Sequence, residues 1–158
     1  MTTLGVRLVH VAPGEVDLAF AARADLLQQN GFLHAGVLAA VADSANGYAA
    51  FTLAPAGTDV LAVEFKINLL SPARASSFVA RGRVLRAGRT LTVCRADVLG
   101  LDDGASEVLV ATMLSTIIVR AGRGGAVSQP SPASVASAPR STRSGSGGSA
   151  RPARRGRA

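Results

Sequence analysis

The sequence predicts an α+β fold in which an antiparallel β-sheet of about six strands wraps around one long central helix. Three observations favour this fold. Apolar and polar residues alternate with period two in several segments, as they do in half-buried strands. One segment of helical length is apolar on nearly all sides, which is typical of a buried helix. The strands follow one another through short turns, without the strand–helix alternation that a parallel sheet requires.

Two strands are predicted to precede the helix. They are "VRLVHV" and "EVDLAF", on either side of a turn at Pro13-Gly14. The helix itself is predicted from about Ala35 to Leu53. Its many alanines permit a close approach to a sheet, and the "PAG" that follows would end it.

Four strands are predicted to follow the helix. The second, third and fourth are "FVARGRVL", "TLTVCRADVL" and "EVLVATMLSTIIV", all rich in residues that favour strands. A tight hairpin is expected at Ala87-Gly88, between the second and third. In the first, "LAVEFKINL", the alternation predicts one shared apolar face made of Leu61, Val63, Phe65, Ile67 and Leu69.

The charge of the chain is distributed unevenly. The 158 residues carry a formal charge of +7, and 48% of them are apolar, which suits one domain with a sizeable core. Residues 1–119 hold nine Lys or Arg and ten Asp or Glu, whereas residues 120–158 hold eight Arg and no acid. We therefore predict a folded domain over 1–119 and a disordered tail, rich in Arg, Ser, Pro and Gly, over 120–158.

The composition argues against several classes of protein and site. No apolar run is long enough to span a bilayer, and no secretory signal is visible, so no membrane partner is expected. The single cysteine, Cys94, lies in an alternating segment and is expected to be a buried, inert thiol, which favours the cytoplasm. The two histidines, His10 and His34, and this cysteine lack metal-ligand spacing, so no metal site is expected.

The predicted helix contains one carboxylate, Asp43, whose position needs an explanation. The helix begins at "LHAG", where the backbone N–H groups of Ala35 and Gly36 are expected to be unpaired and could hold a developing oxyanion. Asp43 follows His34 by nine residues, about 13 Å along the helix, and cannot serve the same carbonyl. A second copy of the helix, related by a two-fold axis, could bring its Asp43 there, so that a dimer would share its two sites.

Three blocks of the sequence carry a resemblance to a known family. "GFLHAGVLAAVAD" resembles the active-site segment of hotdog-fold acyl-CoA thioesterases of the phenylacetate-pathway (PaaI-like) group. "VEFKINLLSPA" and "GRVLRAGRTLTVCRADV" resemble the next two blocks of that family, in the same order. The resemblance covers nearly all of residues 1–119. It implies a hotdog fold, a homodimer or homotetramer, and hydrolysis of an acyl-CoA thioester without a cofactor, since CoA belongs to the substrate.

The resemblance also implies roles for residues around the helix. The N–H of Ala35, at the helix start with Gly36, would polarise the thioester carbonyl, and Asp43 of the partner subunit would act as general base or as nucleophile. His34 would shape the site near the thioester. Gln28 stands where many relatives carry an asparagine that orients water or substrate.

Other roles concern substrate binding. Asn30 is an alternative to Gln28. Gly88 and Arg89 lie in a hairpin that could meet the pantetheine or nucleotide end of CoA, where a guanidinium suits a phosphate.

Two positions depart from the family pattern and keep alternatives open. Ala35 replaces the usual glycine after the histidine, and Ala62 stands where some relatives use a Ser or Thr. A non-hydrolytic acyl-CoA-binding protein of the same fold is therefore an alternative. A structural role for Asp43, capped by Ser44, is another. A third is an oligomeric scaffold whose Arg-rich tail binds nucleic acid, but the tail has no aromatic residue for base stacking and its arginines are mostly dispersed.

Overall fold

One antiparallel sheet and one long helix make up the part of the chain that the computed structural model describes, residues 1–102 and 106–122. Two 3-10 turns, at Thr2–Leu4 and Ala24–Leu26, accompany them. In chain order the elements are β1 (Arg7–Ala12), β2 (Glu15–Ala21), α1 (Ala35–Phe51), β3 (Thr58–Leu69), β4 (Ser77–Ala87), β5 (Leu91–Leu101) and β6 (Val108–Ala121).

The sheet has the strand order β1-β2-β4-β5-β6-β3, and every neighbouring pair is antiparallel. The predicted fold class is thereby confirmed. The two hairpin turns lie at the glycines where they were predicted. Gly14 adopts a φ of 78° between β1 and β2, and residues 88–90 join β4 to β5. Because β3 follows the helix and pairs only with β6, it forms one edge of the sheet, and β1 forms the other.

The helix lies close against the middle of the sheet. It contacts β2, β3, β4, β5 and β6, most closely β4, and most of its buried residues are small. At Gly82 on β4, an added Cβ would collide with the backbone carbonyl of Ala45. The glycine on the strand and the alanines on the helix together allow this close approach, as the small residues of the sequence indicated.

The helix is shorter and less buried than the sequence predicts. It ends at Phe51 rather than Leu53, because the N–H groups of Leu53 and Ala54 bond three residues back, to Ala50 and Phe51, and not four. One side of the helix packs on the sheet, but Tyr48 and Phe51 on the other side are about half exposed, at 49% and 51%. An all-apolar helix surface is therefore covered on one side only within a single chain.

The predicted apolar face of β3 is confirmed for Phe65, Ile67 and Leu69 and wrong for Leu61. A β-bulge lies at Val63: Ala62 pairs with Ile117 on β6, and Glu64 pairs with the adjacent Thr116. One extra residue reverses the alternation, so Leu61 lies on the opposite face of the sheet from Phe65. The bulge turns Ala62 toward the helix, since its partner Ile117 is fully buried there.

The last strand extends past residue 119, where the domain was predicted to end. Arg120 pairs with Asp59 on β3, and the N–H of Gly122 donates to the carbonyl of Gly57 at 2.9 Å. Residues 123–158, which make up nearly all of the predicted tail, lie outside the described residues. Cys94 is fully buried on β5, as predicted, and burial raises the pKa of its thiol to about 11.

Candidate active site

The start of α1 is organised by His34. This residue is the N-cap, with extended backbone angles, and its Nδ1 accepts the N–H of Gly36 at 2.9 Å. The expectation that the N–H of Gly36 is unpaired is therefore wrong, because the imidazole of the residue two positions earlier reaches it.

The N–H of Ala35 remains available. It is the first residue of the helix, and within residues 1–102 and 106–122 no hydrogen bond uses its N–H. Ala35 lines a cavity of about 390 Å³ together with Gln28, Leu38 and residues 69–73, at the end of β3 and in the loop that follows it. An unused N–H at the positive end of a helix dipole can bind a carbonyl oxygen that gains negative charge.

The loop before the helix separates Gln28 from Asn30. The side-chain oxygen of Gln28 accepts the backbone N–H of Asn30, and the chain turns at Gly31 with a φ of 78°. Gln28 lines the cavity at the helix start, whereas Asn30 is exposed and is not among the described residues that line it. Of these two candidates, the geometry brings only Gln28 beside Ala35.

Asp43 lies on the same helix but in a different cavity. This second cavity, of about 310 Å³, is lined also by Ala62, Ile117 and the helix residues Ser44, Gly47 and Tyr48. The Oδ1 atom of Asp43 is buried, and no described residue forms a hydrogen bond with it, including Ser44. Desolvation by burial raises the pKa of this carboxyl. A raised pKa beside a cavity is typical of a functional carboxylate, and Ser44 does not cap the buried Oδ1 of this one.

Ala35 and Asp43 of one chain cannot act on one small group. They are eight residues apart on one helix, roughly 12 Å, and they line separate cavities. The cavity at Asp43 reaches the edge strand β3, whose outer edge pairs with no other described strand. A second copy of the chain placed against this edge is the arrangement that could bring the two groups together.

Gly88 and Arg89 lie away from both cavities. They border a third cavity, of about 240 Å³, near the end of the helix, together with Leu53, Pro55 and other residues. Within one chain the structure brings them together with none of the other predicted site residues. An added Cβ at Gly88 would lie 2.6 Å from the carbonyl oxygen of Leu91, so this glycine is explained by the tight turn.

The sequence reasoning missed Asn46 and Ser115. Asn46 lies three residues after Asp43 and is fully buried, and its amide Nδ2 donates to the Ser115 hydroxyl on β6 at 2.8 Å. The Asn46 Oδ1 is buried, and no described residue bonds to it. A single amide in the otherwise apolar middle of a helix was the signal in the sequence, because such a group needs a partner when it is buried.

Arg74 was also missed. Its guanidinium lies 4.6 Å from the ring centre of Phe32, which lines the cavity at the helix start. It makes no ion pair within the described residues, whereas Arg81 and Arg83 on the sheet are paired with Glu107 and Asp17. The basic residue after "SPA" in the sequence could have indicated an exposed cation near this cavity.

Two further features concern ions and membranes. Among residues 1–102 and 106–122, no three His, Cys, Asp or Glu side chains come together in a way that could hold a metal ion. None of the described helices is both long and apolar enough to cross a bilayer.

Comparison with known proteins assigns this chain to a family. Residues 30–106 match the model of the thioesterase superfamily. The crystal structure of a thioesterase family protein from Silicibacter pomeroyi shares 46% identity and a TM-score of 0.75, over 77% of this chain and 89% of that one. The chain belongs to the thioesterase superfamily. It is a hotdog thioesterase of the PaaI-like group, which confirms the resemblance found in the sequence.

Two other relatives support this membership. A mutant of the phenylacetic acid degradation protein PaaI from Thermus thermophilus is 31% identical with a TM-score of 0.66, over 75% of this chain and 96% of that one. A predicted esterase of Saccharolobus solfataricus is 32% identical over 116 residues, which are 73% of this thioesterase-family chain and 74% of the relative. The general activity is thioester hydrolysis.

Proposed function

We propose that the chain hydrolyses an acyl-CoA thioester to the free acid and CoA, as a homodimer or a dimer of dimers whose active sites are shared between subunits. The observation that carries this proposal is the pair of unused groups on α1. The N–H of Ala35 lines one cavity, and the half-buried Asp43 lines another that opens at the sheet edge. The Ala35 N–H can bind a carbonyl oxygen and Asp43 can accept a proton from water, and thioester hydrolysis needs both groups in one site.

In the proposed reaction the Ala35 N–H and the helix dipole bind the thioester carbonyl oxygen. Asp43 of the other subunit takes a proton from water, and the resulting hydroxide attacks the carbonyl carbon. The tetrahedral intermediate expels CoA as a thiolate, which takes up the proton, and the acid is released. Attack by the Asp43 carboxylate itself, through an acyl-aspartyl anhydride that water then opens, is the alternative; label in Asp43 after one turnover in labelled water would establish this route, because a general base gains no oxygen from water. No cofactor is needed in either route.

The dimer is supported by the character of the β3 edge. Along this edge strand Leu61 and Phe65 are about half exposed, at 49% and 47%. Apolar side chains on an unpaired edge favour association with another strand. A two-fold axis at this edge would pair β3 with its copy and set the two helices side by side in opposite directions.

The CoA phosphates need a cation at the mouth of the site, and Arg74 fits this role better than Arg89. Arg74 is exposed, is held over Phe32 and lies beside the cavity that contains the Ala35 N–H. Arg89 borders the separate cavity near the helix end. A guanidinium that is free of acidic partners can form paired hydrogen bonds with a phosphate.

Thiol release, followed with DTNB over a panel of aryl and aliphatic acyl-CoAs, tests the proposal. Because Cys94 is buried and its pKa is raised to about 11, the protein's own thiol should give no background. Turnover that is lost in Asp43→Ala would support hydrolysis. A fully active Asp43→Ala would contradict it, and so would the absence of thiol release with every acyl-CoA of the panel.

Mixing two inactive variants tests the shared site. Ala35→Pro removes the proposed N–H at the first position of the helix, where proline is well tolerated, and Ala35→Ser is its control because serine keeps the N–H. Equal amounts of Ala35→Pro and Asp43→Ala subunits, unfolded and refolded together, should recover roughly a quarter of the wild-type rate, since half of the dimers then contain one intact site. Recovery of nothing would place both groups in one subunit's site.

A non-hydrolytic acyl-CoA-binding protein is the second candidate. Ala62 favours it, because this residue lines the Asp43 cavity and offers no hydroxyl to the carboxylate or to water. Calorimetry with a CoA thioester separates the two candidates. Tight binding without thiol release would favour the binding protein, and binding with release would favour the thioesterase.

A further inference from the structure

Two buried acceptor atoms on α1 have no hydrogen-bond partner among the described residues, and they lie one turn apart. They are the Oδ1 of Asp43 and the Oδ1 of Asn46. Side chains three residues apart on a helix are neighbours, with Cβ atoms about 5–6 Å from each other. Two lone oxygens in one buried region are an unusual arrangement, because buried polar atoms are nearly always bonded.

The orientation of one amide accounts for both atoms. The Asn46 amide now donates from Nδ2 to the Ser115 hydroxyl at 2.8 Å. The oxygen and nitrogen of such an amide are assigned from their partners. After a half-turn of the amide, Ser115 donates its hydroxyl proton to the Asn46 oxygen. The Asn46 NH₂ then occupies the place of the lone oxygen, and Asp43, three residues earlier on the helix, is a neighbouring acceptor.

We propose that Ser115 and Asn46 form a hydrogen-bonded chain that positions the Asp43 carboxylate. This inference rests on the proposed function for its role in catalysis, but the chain of hydrogen bonds is a separate claim. The Asn46 amide supplies Asp43 with a hydrogen-bond donor from the helix itself, whereas Ala62 on β3 has no donor to offer. Asn46 is therefore a positioning residue: it does not line the Asp43 cavity, so it holds the base without touching substrate.

The surroundings leave few other groups to set the state of Asp43. Of the described residues that line its cavity, Tyr48 on the helix is the one other titratable group, and the lining residues of β3 and β6 carry no charge. On β5 the neighbour of Ser115 is Cys94, whose thiol stays protonated because burial raises its pKa to about 11. A change at Asn46 should thus reach Asp43 directly and not through another charge.

The first test measures the pKa of the Asp43 carboxyl by NMR in the full chain and in Asn46→Leu. A donor stabilises the ionised carboxylate, so its removal should raise the pKa by about one unit. A lowered pKa would show that the amide oxygen faces Asp43, and an unchanged pKa would show that the two side chains do not interact. Either result overturns the proposal. Thr92→Val removes another buried polar group from the same sheet face, and it should leave the pKa unchanged.

Ser115→Ala is the second variant, and it keeps the test valid should Asn46→Leu fail to fold. It removes the donor that fixes the amide, so the pKa should rise by a smaller amount. In kinetics with an active acyl-CoA, Asn46→Leu should lower kcat about tenfold with KM unchanged, as expected for one hydrogen bond to a charged group. An unchanged kcat or a changed KM would contradict a positioning role. If the wild-type protein hydrolyses nothing, the proposed function fails, and the NMR result still decides the hydrogen-bonded chain.

Discussion

Charged side chains on the two faces of the sheet differ in whether they have a partner. On the face away from the helix, several acids have an arginine partner: Arg81 pairs with Glu107 at 2.6 Å, and Arg95 pairs with Asp97 at 3.0 Å. Asp17 accepts from Arg83 on the neighbouring strand β4. On the helix face, Asp43 is half buried, and its Oδ1 has no partner among the described residues.

The ion pairs of the outer face stabilise the fold, whereas the carboxylate of Asp43 does not. Arg83 and Asp17 pair across neighbouring strands, and Arg95 and Asp97 pair along β5. Partly exposed pairs of this kind contribute modestly to stability. A desolvated carboxylate reduces stability, and such groups are concentrated at functional sites. The comparison therefore marks Asp43 by its surroundings, independently of its place in a family pattern.

The largest expected effect comes from changing one acid on each face. Asp43→Asn should lower kcat with an active acyl-CoA by about 10³-fold, because an amide cannot accept the proton from water. The same change should raise Tm near neutral pH. Asp17→Asn should keep full activity and lower the free energy of unfolding by about 1 kcal/mol, because Arg83 loses a charged partner. Steady-state kinetics and thermal unfolding check both variants.

These two variants are matched, since each replaces a carboxylate by its isosteric amide. If Asp43→Asn were fully active, the difference between the two faces would have no bearing on catalysis. An inactive Asp17→Asn would show that the outer face also takes part in the reaction.

The second effect concerns how tightly the helix is held on the sheet. Gly82→Ala should lower the free energy of unfolding by about 3 kcal/mol, because the new methyl group would collide with the Ala45 carbonyl. Gly100→Ala is the control on β5. Its Cβ would meet the Ala75 side chain at 3.0 Å, a contact that can relax, so the loss should be about 1 kcal/mol. Denaturant unfolding measures both; equal losses would show that the helix can move away from β4.

The fold was predictable because its evidence is local. The alternation in "FVARGRVL" places Phe78 and Ala80 on one face, and both are fully buried, as is the predicted buried thiol Cys94. The bulge at Val63 was not predictable, since "LAVEFKINL" continues its alternation through it. An extra residue in a strand is set by pairing with β6, and a single segment does not contain that information.

The site was predictable in its residues and less so in its geometry. The motif indicated Asp43 and the helix start, but the capping of Gly36 depends on the ring orientation of His34. Likewise, a sequence lists eight arginines in residues 1–119 without showing which have acidic partners. Asn46 was overlooked because a helix pattern of apolar residues does not reveal which strand its one amide will meet.

The arginines extend the comparison to substrate binding. Arg74→Ala should raise KM for an acyl-CoA about fivefold with kcat unchanged, and the effect should shrink at high salt, since it reflects attraction between a guanidinium and a phosphate. Arg81→Ala is the matched control: this arginine is neutralised by Glu107 and should leave KM unchanged. Arg89→Ala should also leave KM unchanged. A KM effect at Arg89 alone would move the CoA phosphates to the hairpin between β4 and β5.

The smallest effect is the pH dependence of the stability cost at Asp43. Burial raises the pKa of this carboxyl in the folded protein above its value in the unfolded chain. The folded state then binds the proton more tightly, so the stability contributed by the protonated acid is lost as pH rises from the unfolded pKa through the folded pKa. Above this window wild type should melt a few degrees below Asp43→Asn, and below the unfolded pKa the two should melt together. Thermal unfolding of both proteins across acidic and neutral pH measures this difference. A constant difference at all pH values would mean that the cost comes from packing around Asp43 and not from its charge, and the contrast between the two faces would then lose its electrostatic basis.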